Sequence, residues 1–86
     1  MNSTIEKLVN KSHRFRFYLK IGNIELITNV VQNLHGEILD VVPNYNEQYD
    51  LMIVSWRQDQ LDAAIFNPVM ALSKYYCVYA FSRCVQ

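Results

Sequence analysis

The residues best suited to chemistry are three cations and a tyrosine at alternate positions of the segment HRFRFYLKI, residues 13–21. Side chains of a β-strand alternate between its two faces, so Arg14, Arg16, Tyr18 and Lys20 would share one side. The residues between them are mostly aromatic or aliphatic and would face a core. Guanidinium, ammonium and phenol groups bind carboxylates, phosphates and protein surfaces through charge and directional hydrogen bonds. The row therefore predicts a binding surface.

The other titratable side chains give no sign of catalysis. His13 and His35 are the two histidines, and neither has the spacing to a nucleophile or an acid that a general base needs. We expect Asp59 and Asp62 to support the start of a helix rather than to bind metal. The two glycines stand far apart, so the chain has no glycine-rich phosphate loop. These observations predict a non-enzymatic protein without a metal site or a cofactor.

The cysteines and the distribution of apolar residues predict a compartment. Cys77 and Cys84 are seven positions apart, a spacing that matches no metal-binding pair, and in one strand they would face opposite sides. We expect two reduced thiols. No segment has the apolar run of a signal peptide or the roughly 20 apolar residues that span a bilayer. These features predict a cytoplasmic protein that does not enter a membrane.

The composition predicts one folded domain. Of the 86 residues, 51% are hydrophobic and the net charge is zero, which argues against a disordered chain. Residues 1–20 hold five cations and one acid, so the rest of the chain is acidic by the same amount. Most nucleic-acid-binding domains are strongly basic overall. The zero net charge therefore argues against a protein that binds phosphates through electrostatic attraction alone.

Hydrophobic periodicity predicts the elements that must position the row. Ser3 and Glu6 have the spacing of a capping box, which predicts a helix over 4–11. We therefore expect a helical arm over residues 1–12 and a single domain over 13–86. Within the domain, strands are predicted at 13–21, 37–42, 48–56 and 75–83, and helices at 24–35 and from Asp59 to Leu72.

Local signals set the predicted helix boundaries. Asn23 and Asp59 are expected to cap the two helices, and Gly36 is expected to end the first. The dipeptide Asn67-Pro68 should interrupt the second helix, because a residue before proline is pushed out of the helical region.

The order β-α-β-β-α-β is typical of the ferredoxin-like split βαβ arrangement, an α+β fold. It predicts a four-stranded antiparallel sheet in spatial order 4-1-3-2, with both helices on one face and the short N-terminal helix in addition. This scaffold supports many unrelated activities, so the fold predicts no function by itself.

The face of the sheet that carries the row is expected to bind. On the fourth strand, Val78 and Ala80 suit the helix side by their size. On the third strand, either Leu51 and Ile53 or the alternate set with Trp56 must face outward, and both sets are apolar. The candidate binding residues are Arg14, Arg16, Tyr18, Lys20, Trp56, Tyr75, Tyr79, Phe81 and Arg83.

Only the first strand alternates cleanly between apolar and polar residues, so the second face of the sheet is expected to be covered. Three occupants are consistent with the sequence: the N-terminal helix folding back, a second copy of the chain in a homodimer, or a different protein.

Two families share features with this pattern. The aromatic and basic face resembles that of the RNA-recognition motif, which stacks bases on its sheet and implies RNA or single-stranded DNA as a partner. The glycine-containing consensus of that family's third strand is absent from YDLMIVSW. The segment YLKIGNIELITNVVQNLHGEI is similar in shape to the start of the ACT module, without that module's acidic residue and Pro-Gly pair.

We expect a small binding protein that occupies a partner's surface with its sheet face, as an inhibitor or regulator. Frequent Asn, Tyr, Ile and Lys are typical of an AT-rich gene, so a phage-encoded, antitoxin-like inhibitor of a host toxin or defence enzyme is one hypothesis. The alternative is an RNA-binding or single-stranded nucleic-acid-binding module.

Overall fold

The computed structural model describes residues 11–62 and 67–84, so the predicted helix over 4–11 lies outside the described residues. The elements are β1 (Ser12–Lys20), α1 (Ile24–Asn33), β2 (Glu37–Val42), β3 (Tyr49–Arg57), α2 (Gln58–Leu61), α3 (Pro68–Ser73) and β4 (Val78–Arg83). None of the helices in these ranges is long and apolar enough to cross a membrane.

The strands form one antiparallel sheet in the order β2-β3-β1-β4, which confirms the α+β class. β1 lies in the middle and pairs with β3 along its whole length, from Ser12 opposite Arg57 to Lys20 opposite Tyr49. β2 and β3 are joined as a hairpin. The row on β1 therefore runs through the centre of the sheet.

One face of the sheet, which we call the covered face, carries the hydrophobic core. Phe15, Phe17 and Leu19 of β1 lie on it, together with the alternate residues of β3, and pack against the buried residues of the helices. The core cluster comprises Phe15, Phe17, Leu19, Ile27, Val31, Met52, Val54, Trp56, Val69, Leu72, Cys77 and Val78. Rings set edge-on fill its centre, with Trp56 at 6.0 Å from both phenylalanines between ring centroids. All three helices contribute side chains to this side of the sheet.

The C-terminus of α1 is held by a pair of backbone hydrogen bonds that form a Schellman motif. His35 N donates to Gln32 O (3.1 Å) and Gly36 N donates to Val31 O (3.0 Å). The left-handed residue of this motif is His35, with φ 66°, and not the glycine that was expected to end the helix. Gly36 is required for a different reason: a Cβ there would lie 2.8 Å from both Trp56 and Val31.

The helix starts differ from the predicted caps: Asn23 stands at the N-cap position of α1 without a side-chain cap bond, Asp59 is not an N-cap, and α3 has a cap that was not predicted. The Asn23 side chain donates to Lys20 O (3.1 Å) and Ile21 O (3.4 Å), so it stabilises the turn before α1 instead of capping the helix. Asp59 lies inside the first turn of α2 and pairs with Arg57, which occupies the N-cap position. At α3, Asn67 Oδ1 accepts from Val69 N and Met70 N, and the predicted break before Pro68 is confirmed.

A buried carboxylate joins the two turns at one end of the sheet. Asp50, opposite Leu19 on the covered face, is 2% exposed. Its oxygens accept from Gly22 N (3.1 Å) and Asn44 N (2.7 Å). Both of these turn residues have positive φ, so Asp50 fixes two turns that the backbone alone would hold weakly.

Candidate binding face

The side of the sheet opposite the covered face, which we call the open face, carries the row on β1 as predicted. Arg14, Arg16 and Lys20 are exposed and Tyr18 is half-buried, while the residues between them are buried. The strand alternation therefore separates the exposed cations and Tyr18 from core packing within one segment.

The strand register places the open-face residues in three levels across the sheet. At the first level, Arg14 lies opposite Ser55, which lies opposite Glu37. At the second level the order is Arg16, Ile53 and Asp40, and at the third it is Tyr18, Leu51 and Val42. A β-bulge at Leu39 puts Asp40 on this face. The alternative left open for β3 is thereby decided: Leu51 and Ile53 face the row.

Four tyrosines form a connected group at one end of the open face, which we call the tyrosine cluster. Tyr18 lies 6.2 Å from Tyr45 and 6.0 Å from Tyr49, and Tyr49 lies 5.6 Å from Tyr79, between ring centroids. Their interplanar angles of 59–67° bring ring edges toward neighbouring faces. The rings follow one another in contact, so the cluster forms one aromatic surface beside Lys20.

Sequence reasoning found two members of the tyrosine cluster and missed the other two. Tyr49 lies opposite Lys20, so its position follows once the β1–β3 register is known. Tyr45 sits in the turn before β3, outside any strand alternation, and the sequence holds no signal for its contact with Tyr18.

The charges of the open face are separated by strand. The cations lie on β1, whereas Glu37 and Asp40 lie on β2, with β3 between them. Among residues 11–62 and 67–84, the one ion pair joins Arg57 and Asp59 (3.2 Å), outside this row. Hydrogen bonding to the Tyr18 side chain raises the pKa of Arg16 above its already high ordinary value, and the neighbouring Cys84 adds to the effect. Arg16 is therefore a permanent cation at the centre of the face.

Four predicted binding residues lie elsewhere. Trp56 is 1% exposed on the covered face, where its Nε1 donates to Leu34 O (3.0 Å). Phe81 and Arg83 lie opposite Phe17 and Phe15 and so face the helix side. Tyr75 precedes β4, which begins at Val78.

The cause of the error on β4 is a bulge at Tyr79. Tyr18 pairs with Ala80 but Leu19 pairs with Val78, so Tyr79 is the extra residue. This insertion puts Val78 on the covered face and Ala80 on the open face, although simple alternation would place both on one side. Tyr79 stays with the row, as predicted.

A chain of polar side chains lies at the edge of the core, on the covered side. Arg83 Nη2 donates to His13 Nδ1, and His13 Nε2 then donates to Gln58 Oε1. Gln58 Nε2 in turn donates to Asp62 Oδ1 (2.8 Å) and Oδ2 (2.9 Å). An arginine can only donate, so Nδ1 is the accepting nitrogen of this chain and Nε2 the donating one. The chain borders a cavity of about 270 Å³ that Phe15 and other apolar residues also line.

The two thiols differ in environment. Cys77 is buried in the core, and burial raises the pKa of its thiol. Cys84 is half-buried, and its N donates to Arg14 O (2.8 Å) beside the open face. Within the described ranges, no three His, Cys, Asp or Glu side chains are grouped so that they could hold a metal ion.

No protein-family model matches the sequence, and neither a curated protein nor a solved structure matches it. The geometry of the open face is therefore the basis on which a function is inferred.

Proposed function

We propose that the protein is a non-enzymatic binding protein that inhibits or regulates a protein partner through the open face of its sheet. One observation carries the proposal: the tyrosine cluster, an aliphatic centre and the cation row form one surface, while all described helices pack on the other side. Tyrosine and arginine anchor protein interfaces because each combines contact area with directional hydrogen bonds.

A protein partner fits this face better than a nucleic acid. Glu37 and Asp40 lie on the same surface as the cations and would repel a phosphate backbone. Ile53 and Val42 add an aliphatic strip, which suits side chains of a protein more than nucleotides. The zero net charge supplies no long-range attraction for a polyanion.

Single-stranded RNA or DNA is the second candidate, and the position of Lys20 favours it. Lys20 lies opposite Tyr49 and two residues after Tyr18 on the same face of β1, which combines a cation with aromatic rings on the two central strands. Base stacking on such rings contributes about 1–3 kcal/mol per base.

The ferredoxin-like arrangement and a cytosolic location are part of the proposal. The observed strand order, counted from the β4 edge, is 4-1-3-2, and this supports the split βαβ assignment. Two free cysteines support a reducing compartment.

The proposal is tested by binding experiments with a face variant and a matched control. Arg16→Glu with Tyr18→Ala removes one cation and one ring from the open face. Lys74→Glu with Tyr76→Ala makes the same chemical changes at the turn between α3 and β4, where Lys74 and Tyr76 are exposed. Immobilised wild type should retain a specific protein from lysate that the face variant loses and the control keeps, with circular dichroism showing that both are folded. Equal retention by the two variants would refute the proposal.

The nucleic-acid alternative makes a separate prediction. Fluorescence anisotropy with a labelled single-stranded oligonucleotide should then show affinity that falls with salt, with a log–log slope of about −0.7 per neutralised phosphate. An interface with an aliphatic centre should respond much less to salt. A steep slope that Lys20→Ala reduces would favour the nucleic-acid module.

A further inference from the structure

We propose that the open face is built to receive a second copy of this chain, related by a two-fold axis that runs along β3. This inference rests on the proposed function, because it names a partner for the same face. It is carried by the alignment of opposite charges on either side of β3, which the strand register fixes.

The levels across the sheet supply the geometry. Two of the three cations on β1 have an acidic counterpart on β2 opposite the same β3 residue: Arg14 and Glu37 flank Ser55, and Arg16 and Asp40 flank Ile53. The third, Lys20, lies opposite Tyr49, beyond the last paired residue of β2. Neighbouring strands lie about 4.8 Å apart, so cation and acid are equally distant from β3 on its two sides. At these two levels the open face is thus antisymmetric in charge about β3.

The proposed two-fold axis is parallel to β3 and lies above it, between the two facing sheets. Rotation about it exchanges the β1 side with the β2 side and keeps each residue at its level along the strands. It places β1 of one copy over β2 of the other, so that Arg16 faces Asp40 of the second copy and Arg14 faces its Glu37. Because the interface is isologous, each of these contacts occurs twice. Sheets that pack face to face are about 10 Å apart, a gap that arginine and carboxylate side chains can bridge together.

The alternative orientation is disfavoured by the same charges. The other face-to-face pair has its two-fold axis parallel to the plane of the sheet and perpendicular to the strands. It would stack β1 on β1 and β2 on β2, and like charges would then meet. Juxtaposed like charges at an interface are strongly unfavourable. The charge pattern therefore selects one of the two simple face-to-face arrangements.

Side chains near the axis suit the centre of such an interface. Ile53 would lie on the axis, and Tyr18 would lie over Val42 of the second copy, so the charged levels adjoin an aliphatic and aromatic one. Asp40 Oδ1 accepts from Val41 N (2.9 Å), which orients the carboxylate. Tyr79, on β4, would lie at the rim, because the rotation brings no strand over β4.

The test is a charge exchange measured by sedimentation equilibrium or light scattering of the full chain at low salt. Wild type should be a dimer. Arg16→Glu and Asp40→Arg should each weaken dimerisation by about tenfold or more, since each creates two repulsive contacts. The double variant Arg16→Glu with Asp40→Arg should recover the wild-type dissociation constant to within a few-fold. Circular dichroism controls for folding, since both side chains are exposed.

Three results would overturn the inference: a wild-type monomer at all concentrations, a dimer that the single variants leave unchanged, or a double variant as defective as the single ones. Of these, a wild-type monomer that retains another protein through Arg16 and Tyr18 would leave the proposed function intact. A monomer that retains none would point to the chain's own residues 1–10 as the occupant of the face.

Discussion

The two faces of the sheet are built from the same strands and differ in what fixes their residues. On β1, Phe17 is fully buried among helices and rings, whereas the next residue, Tyr18, is half-buried within the tyrosine cluster. The covered face is constrained by volume, since added or lost atoms are felt throughout a close-packed core. The open face is constrained by charge and ring position. The difference indicates that core packing and the chemistry of the open face can be altered separately in this chain, one residue apart.

Truncation on the two sides of β1 should cost very different amounts of stability. We expect Phe17→Ala to lower the free energy of unfolding by about 3–5 kcal/mol, because it leaves a cavity beneath Trp56. Tyr18→Ala, which removes ring contacts at a half-buried site, should cost about 1 kcal/mol. Urea denaturation measures both. Similar losses of stability in the two variants would contradict this difference between the faces.

The second contrast is between Asp50 on the covered face and Asp40 on the open face. Asp50→Ala should cost about 1.5–3 kcal/mol, since it leaves the amides of Gly22 and Asn44 without their charged acceptor. Asp40→Ala removes one exposed hydrogen bond and should cost under about 0.5 kcal/mol. Thermal unfolding of both variants gives the order, and an equal shift in melting temperature would show that Asp50 does not hold the turns.

At the end of α1, two adjacent residues have opposite requirements: Gly36 has no room for a side chain, whereas His35 has a backbone conformation that favours glycine. Gly36→Ala should cost about 1–3 kcal/mol, because its Cβ would force Trp56 and Val31 apart. His35→Gly should leave stability unchanged or raise it by up to about 1 kcal/mol, because it relieves a left-handed conformation. A loss of stability at position 35 comparable to that at 36 would contradict this account.

The sequence predicted those features that one strand or one dipeptide determines. The row on β1 and the break at Asn67-Pro68 are of this kind, because a period of two and the restriction before proline act locally. Trp56 was misplaced because both alternations of YDLMIVSW are apolar, so only pairing with β1 decides which side is buried. The β4 error came from the bulge at Tyr79, an inserted residue that no local pattern announces.

The partners of side chains in turns and ring contacts also could not be predicted from local sequence patterns. The Asn23 side chain bonds the turn before it and not the helix after it, and Tyr45 contacts Tyr18 on another element. A propensity for capping or for turns specifies neither partner. The charge levels across β3 are also a product of register: Glu37 and Asp40 would fall on opposite sides of a regular strand, and the bulge at Leu39 lets them share the open face. Single-strand patterns were therefore enough for the β1 row, while its acidic counterpart needed the assembled sheet.

The smallest expected effect is a loss of folding stability at high pH that depends on the thiol of Cys77 and not on that of Cys84. Burial raises the pKa of Cys77 above its ordinary value of 9.0, so the folded state keeps the proton that the unfolded chain loses. The stability from a neutral Cys77 is complete below pH 9.0 and is lost as pH rises from there through the folded pKa. Stability of the wild type should therefore fall more steeply above pH 9.0 than that of Cys77→Ala.

Urea midpoints from pH 7 to 10.5 for wild type, Cys77→Ala and Cys84→Ala would measure this difference. Cys84→Ala is the matched control, since its thiol is half-buried beside the open face. At pH 7.5 a thiol reagent should modify Cys84 well before Cys77, because the buried thiol reacts only when the core opens. If Cys77 reacts first, or if its removal leaves the alkaline slope unchanged, the covered face is more accessible than its packing indicates.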